Sequence, residues 1–258
     1  MDRKIRIGAV NYLNTRPLLY GIEHSGLKRK IDLSLDYPSK IADQLISGQI
    51  DIGLVPVAAI PRLKEWHIVT DSCIGCNGPV ASVAVFADQP LETLDRILLD
   101  YQSRTSAALT RLLFQYHWKL SPHFSNTNGE AYRHMITGST GGLVIGDRAL
   151  EQRKESKFTY DLGEAWKEFT GLPFVFATWI SNKPVDPSFL EEFSEANRNG
   201  LQHIEQVVRE NPFPHFDMFE YYTKHISYQL DNDKRKGLYK FLEMIGKMQA
   251  GETIPAQA

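Results

Sequence analysis

The sequence has little cysteine: Cys73 and Cys76 are the only two in 258 residues. Their Cys-x-x-Cys spacing belongs to redox and metal motifs. A metal site needs a second pair or nearby histidines, and only His67 is close. Gly75, Gly78 and Pro79 predict a turn here, not the helix start that a thioredoxin-like motif opens. No apolar run approaches the ~20 residues of a membrane span. Ile5–Val10 is broken by Arg6 and too short for the core of a secretory signal, so the expected location is the cytoplasm. Neither sign of charge is in large excess. The net charge is -2, with 23% charged and 42% hydrophobic residues, as in ordinary globular proteins. A nucleic-acid partner would favour a basic face, which this balance argues against. Several catalytic motifs are missing too. There is no His-Glu-x-x-His and no Gly-x-Ser-x-Gly. Gly8 is followed by Ala9-Val10-Asn11-Tyr12, which is no dinucleotide fingerprint. Gly138–Gly142 lacks the Walker lysine and leads into a strand, so it reads as a turn.

What is present is an alternation of short apolar runs and amphipathic stretches, the pattern of an α/β fold. Strands are expected at Lys4–Ala9, Ile31–Asp36, Ile50–Val55, Ala81–Phe86, Arg96–Leu99, Gly142–Ile145 and Phe174–Ile180. Runs such as Ile52–Val55 and Leu143–Ile145 are continuous, which suits strands of a parallel sheet buried on both faces. Helices are expected after Asn14–Pro17, from Ser39 to a stop at Gly48, after Ser103, and over Glu164–Phe169 before Gly171. The tail reads as helical over Phe189–Val208 and Lys234–Met248. Asp88-Gln89-Pro90 interrupts the pattern, and a second crossing falls near Phe176–Ile180. The expected division is a discontinuous lobe of residues 1–88 with 178–258, and an inserted lobe of residues 89–177. Two such lobes would face each other across a ligand cleft.

Three polar segments fall at strand ends, where an α/β protein places its ligand contacts. Asn14 and Thr15 follow the first strand, and Asn14 can donate and accept through its amide. Ser103, Thr105 and Ser106 put three hydroxyls at a helix start, where backbone N–H groups favour an anion. Capping needs only one of them. Ser82 stands at the head of a strand, where it faces either a ligand or the opposite side. These groups suit a small carboxylated molecule.

The same segments carry a resemblance. Val10–Leu18, Asp51–Pro56, Val80–Val83, Ser103–Ser106, Ile145-Gly146-Asp147, Tyr160–Trp166 and Thr170–Ala177, taken in order, resemble the chorismate dehydratase family of the futalosine route to menaquinone. The resemblance implies a two-lobed α/β fold of the type II periplasmic-binding-protein kind, adapted as an enzyme. The implied reaction is a carbon–oxygen lyase step that removes water from chorismate to give 3-[(1-carboxyvinyl)oxy]benzoate. No cofactor, metal, nucleic acid or membrane is implied. Asn14 and Ser82 are the expected catalytic residues. Thr15, Ser103, Thr105, Ser106, Gly146 and Asp147 are the expected substrate-binding residues.

No residue in these segments is an obvious base. Asp147 is one by type, but it could instead pair with Arg148 or cap a helix. The enolpyruvyl carboxylate of the substrate could take the proton itself. Two other readings remain open. A solute-binding or ligand-sensing protein fits the fold equally well. The sister enzyme 1,4-dihydroxy-6-naphthoate synthase shares the fold, but its relatives open differently and carry His where this chain has Gly146.

Overall fold

The computed structural model describes residues 3–252. Among the described residues, eleven strands form two mixed sheets. The first sheet contains β1 (Ile5–Val10), β2 (Ile31–Asp36), β3 (Ile52–Pro56), β4 (His67–Cys76), β10 (Phe174–Ser181) and β11 (Ser227–Gln229), in the order β11-β4-β10-β3-β1-β2. The second contains β5 (Val83–Ala87), β6 (Arg96–Leu99), β7 (His123–Asn126), β8 (Thr140–Ile145) and β9 (Phe158–Asp161), in the order β7-β6-β8-β5-β9. The helices are α1 (Arg16–Glu23), α2 (Pro38–Ile46), α3 (Arg104–Tyr116), α4 (Asp147–Gln152), α5 (Leu162–Thr170), α6 (Pro187–Leu201), α7 (Ile204–Glu210), the single turn α8 (Met218–Glu220) and α9 (Asn232–Ala250). None of these is long and apolar enough to cross a membrane.

The apolar runs form strands as expected, but they are not all parallel. β1 pairs in parallel with β2 and β3, and β6 with β7 and β8. β10 is antiparallel to β3, and β5 is antiparallel to both β8 and β9. A continuous apolar run reports burial on two faces, not strand direction. β3, β5 and β10 are each buried along their whole length. The turn expected at the cysteines is corrected: Cys73 and Cys76 both lie on β4, buried and not joined in a disulfide. Three residues apart on a strand, they face opposite sides. The Ser39 cap is corrected as well, because α2 begins one residue earlier, at Pro38. The stretch Phe189–Val208 is two helices, broken at Gln202–His203.

The chain divides into two compact units. Among the described residues, one takes 3–75 and 175–231; the other takes 76–174 and 232–252. The expected boundaries are corrected at both ends of the second unit. β5 joins the second sheet, so this unit begins before residue 89. The last helix, α9, also belongs to it. Phe241 meets Trp166 and Phe174 edge-to-face at centroid distances of 6.0 and 5.0 Å, and Trp166 Nε1 donates to the Pro173 carbonyl at 3.2 Å. Turn signals mark where a strand ends; they do not mark which sheet it joins.

In the first unit α1 and α6 touch backbone to backbone. A Cβ on Gly21 would overlap the Ala196 carbonyl, and one on Gly200 would overlap that of Pro17. Neither helix can slide without losing buried Leu18, Leu19, Ile22, Phe193 and Ala196. Gly21→Ala should therefore destabilise the protein by about 1–3 kcal/mol through overpacking, read as a lower urea midpoint.

At the opposite end of β1, Asp51 is a buried carboxylate shared by cations. Arg3 Nη2 reaches it at 2.7 Å, Lys183 Nζ at 2.8 Å, and Arg6 through both its backbone N–H and its guanidinium. Burial alone would raise its pKa; the hydrogen bonds from Arg6, Lys183 and Arg3 outweigh that and hold it well below the usual carboxylate range. A depressed folded pKa gives stability that is present above the unfolded value, about 3.9, and lost as pH falls toward the folded value. Urea midpoints should fall on acidification below about pH 4, and Asp51→Asn should flatten that part of the profile while lowering stability at pH 7.

Candidate functional site

The topology of the second sheet gathers four segments at one end. β6 and β8 run in parallel, so the loops after Leu99 and after Ile145 leave the sheet side by side. β5 opposes β8 with Val83 across from Ile145, which puts Ser82 beside the same loop. β9 opposes β5 with Asp161 across from Ala84, which brings the start of α5 to this end. Ser82, Ser103, Thr105, Ser106, Gly146 and Asp147 thus come to one sheet end from three separate stretches of chain. Ligands of α/β proteins bind beyond the carboxyl ends of parallel strands.

Ser103 is the N-cap of α3. Its Oγ accepts from the Ser106 N–H at 3.1 Å and donates to Ser106 Oγ at 2.9 Å. Capping therefore accounts for the Ser103 hydroxyl, and Ser106 is left with its own proton to give. Thr105 is fully buried, and Thr110 Oγ1 back-bonds to the Ser106 carbonyl at 2.8 Å, firming the first turns. These groups sit at the positive end of a 13-residue helix dipole.

Gly146 is the N-cap of α4, at φ 65° and ψ -147°, a region that essentially only glycine enters. Its N–H donates to the Ser82 carbonyl at 2.8 Å, tying the loop after β8 to the head of β5. Asp147 is the first residue of α4, where its charge favours the helix dipole; it is not the cap. Arg148 reaches Asp100, Glu130 and Gln102.

Ser82 is fully buried and follows Ala81, a non-glycine residue at φ 63°. That conformation costs energy, and Asp161 holds it. The Asp161 carboxylate accepts from Val80 N–H at 3.0 Å and Ala81 N–H at 2.8 Å, caps α5 through Gly163 and Glu164, and pairs with Arg153 at 3.0 Å. Arg153 Nε also donates to the Ala81 carbonyl at 2.7 Å. On the neighbouring side, Asp100 accepts from Gln102 N–H, Ile145 N–H, Tyr132 Oη and Arg148. Burial pushes the Asp100 carboxyl up, against the pull of Arg148.

In the first unit, Asn14 and Thr15 lie on a short turn, Leu13–Thr15, between β1 and α1. Thr15 Oγ1 donates to Asn14 Oδ1 at 3.2 Å, so Asn14 has its NH₂ to offer a ligand. Tyr228 Oη donates to the Asn14 carbonyl at 2.8 Å and fixes the turn from below. Burial, with Tyr222 and Tyr221 nearby, pushes the Tyr228 phenol well above its usual pKa and keeps it a donor.

Sequence reasoning passes over Asp100, Tyr132, Arg153, Asp161 and Tyr228. Two of these have a local signal. Asp161-x-x-Glu164 before an apolar helix is a capping pattern, and Asp100 is a charge directly after the buried strand Arg96–Leu99. The others act across 32 residues (Tyr132 to Asp100), 72 residues (Arg153 to Ala81) or 214 residues (Tyr228 to Asn14). No group of three or more His, Cys, Asp or Glu able to hold a metal occurs among the described residues.

Similarity to solved structures defines the class first. The alkanesulfonate-binding protein SsuA of Xanthomonas axonopodis pv. citri, bound to MOPS, matches with a TM-score of 0.68 at 12% identity, over 96% of this chain and 94% of its own. The fold is that of periplasmic binding proteins. The family follows from sequence: a family model described as menaquinone biosynthesis matches residues 5–247, and the chain belongs to that family. Two proteins named chorismate dehydratase are similar. The one from Thermus thermophilus is 26% identical, over 93% of this chain and 94% of its own. The one from Campylobacter jejuni is 25% identical, over 90% and 93%.

Gly146→Ala would force a Cβ into the disfavoured conformation between Ser82 and Asp147. It should cost about 1–3 kcal/mol, measured as a lowered thermal midpoint.

Proposed function

We propose that this protein is a chorismate dehydratase, a cytoplasmic enzyme that eliminates water from chorismate to give 3-[(1-carboxyvinyl)oxy]benzoate. The carrying observation is the meeting of Ser82, the Ser103–Ser106 helix start and Gly146–Asp147 at one sheet end, in a chain whose relatives of that name match it nearly end to end. The chemistry asks little of a protein base. A proton leaves the ether-bearing ring carbon, the neighbouring hydroxyl leaves with it as water, and the ring becomes aromatic. The enzyme has to hold two carboxylates, stabilise charge that spreads toward the ring carboxylate, and assist both departures.

In this reading the first turn of α3, with Ser106 as hydroxyl donor, holds one carboxylate. Thr105 and the backbone at Gly146 shape the same anion site. Asn14, donating through its NH₂, assists the departing hydroxyl, and Ser82 orients the enolpyruvyl arm. Thr15 keeps Asn14 turned for that task through its hydrogen bond to Oδ1. Asp147 stands in the first turn of α4, a structural place for a carboxylate. We therefore assign the proton to the enolpyruvyl carboxylate of the substrate, with the protein fixing the reactive conformation. A binding protein without turnover is the alternative that fits the fold equally well.

Purified protein incubated with chorismate should generate the ultraviolet spectrum of a substituted benzoate. Ser106→Ala should lower kcat/KM by about 10–100-fold through a lost charge-assisted hydrogen bond, and Asp147→Asn should retain turnover. Unchanged chorismate with folded protein overturns the enzyme reading. Loss of turnover in Asp147→Asn with binding intact overturns the substrate-assisted route.

A further inference from the structure

Asp100 belongs to none of the groups assigned to substrate above, yet five hydrogen bonds converge on its carboxylate. Its side chain is fully buried. Oδ1 accepts from the Gln102 N–H at 2.9 Å, on the loop that leads into Ser103. Oδ2 accepts from the Ile145 N–H at 3.3 Å, at the end of β8, one residue before Gly146. Arg148 Nη2 lies 3.1 and 2.9 Å from the two oxygens, and the same guanidinium bonds Gln102 Oε1 at 2.8 Å and Glu130 at 2.9 Å. Tyr132 Oη closes the set from the core side at 2.8 Å. Through one carboxylate and one guanidinium, the loop after β6 is joined to the loop after β8 and to the first turn of α4.

We infer that Asp100 is a positioning residue that locks these two loops together, so that the Ser103–Ser106 helix start and the backbone at Gly146 present one fixed anion-binding arrangement. This rests on the reading of that sheet end as the substrate site. The physical reason is geometric. β6 and β8 are hydrogen-bonded neighbours only up to Leu98 and Gly142. Beyond that register a buried carboxylate accepts from donors on both sides. A rigid pair of loops meets a carboxylate without an ordering cost at binding, and a misplacement of about 1 Å in such a site lowers rates by up to about 100-fold.

The test compares Asp100→Asn with Asp51→Asn. Asp51 is also a buried carboxylate in ion pairs, in the other unit and outside the site. Both variants should lose stability. Asp100→Asn alone should lower kcat/KM for chorismate by about 30–100-fold, with KM raised, while Asp51→Asn stays close to wild type. Gln102→Ala, a milder change that removes one anchor of Arg148, should give an intermediate loss and serves if Asp100→Asn does not fold. Hydrogen exchange supplies a readout independent of substrate. Amides of 103–106 and 146–147 should speed up together by about tenfold in Asp100→Asn and not in Asp51→Asn. A kcat/KM within about twofold of wild type in the folded Asp100 or Gln102 variant, or faster exchange confined to one loop, overturns the inference. If wild-type protein leaves chorismate unchanged, the enzyme reading fails, while the exchange data still decide the coupling of the loops.

Discussion

Five donors converge on the Asp161 carboxylate: the N–H groups of Val80, Ala81, Gly163 and Glu164, and the Arg153 guanidinium. Without them the chain could not enter β5 as it does, because Ala81 stands in a left-handed conformation that alanine avoids. With them, Ser82 is presented at the head of a buried strand and α5 starts capped at the same point. The packing follows suit. Gly163 lies so close to Cys76 and Gly78 that a Cβ would meet the Cys76 sulfur at 2.6 Å. One buried side chain thus sets a strand, a helix and the loop between them.

Asp100 and Asp161 do the same kind of work on two sides of one sheet end. Each is buried, and each carries one arginine and several N–H groups. A buried carboxylate deprived of such partners destabilises a protein by about 3–5 kcal/mol, so neither is an incidental surface pair. The hydroxyls that face the proposed chemistry are neutral, while the charged residues near them are committed to structure. That division explains why the proposed anion site contains few groups suited to acid–base work.

Much of the fold is legible in the residues alone. β2 and β6 have the bounds read from their apolar runs, the Ser103 cap is where its spacing puts it, and Gly48 and Gly171 end their helices at positive φ. What is not legible has a common cause, the weakness or ambiguity of the local pattern. β4 is masked by a Gly–Pro turn signal that lies just past its end, and β7, β9 and β11 are short, with polar residues among the apolar ones. The place of α9 escapes because helical periodicity shows an apolar face without its partner; only the packing of Phe241 on Trp166 and Phe174 assigns the helix to the second unit. For the site, the residue types at strand ends are visible, whereas their supports in Arg153, Tyr132 and Tyr228 are not.

The sequence by itself determined the α/β class, most strands, and the polar segments at strand ends, because periodicity, caps and turns act within a few residues. Its ordered motifs also carried the family. Only the tertiary structure decided which strands share a sheet and in which direction, where the second unit begins, and that Ser82, Ser103–Ser106 and Gly146–Asp147 meet at one end of it. Those outcomes rest on hydrogen bonds and packing between residues distant in the chain, such as Ala81 with Asp161 and Ile145 with Asp100, and such pairings leave no local mark in the residues that make them.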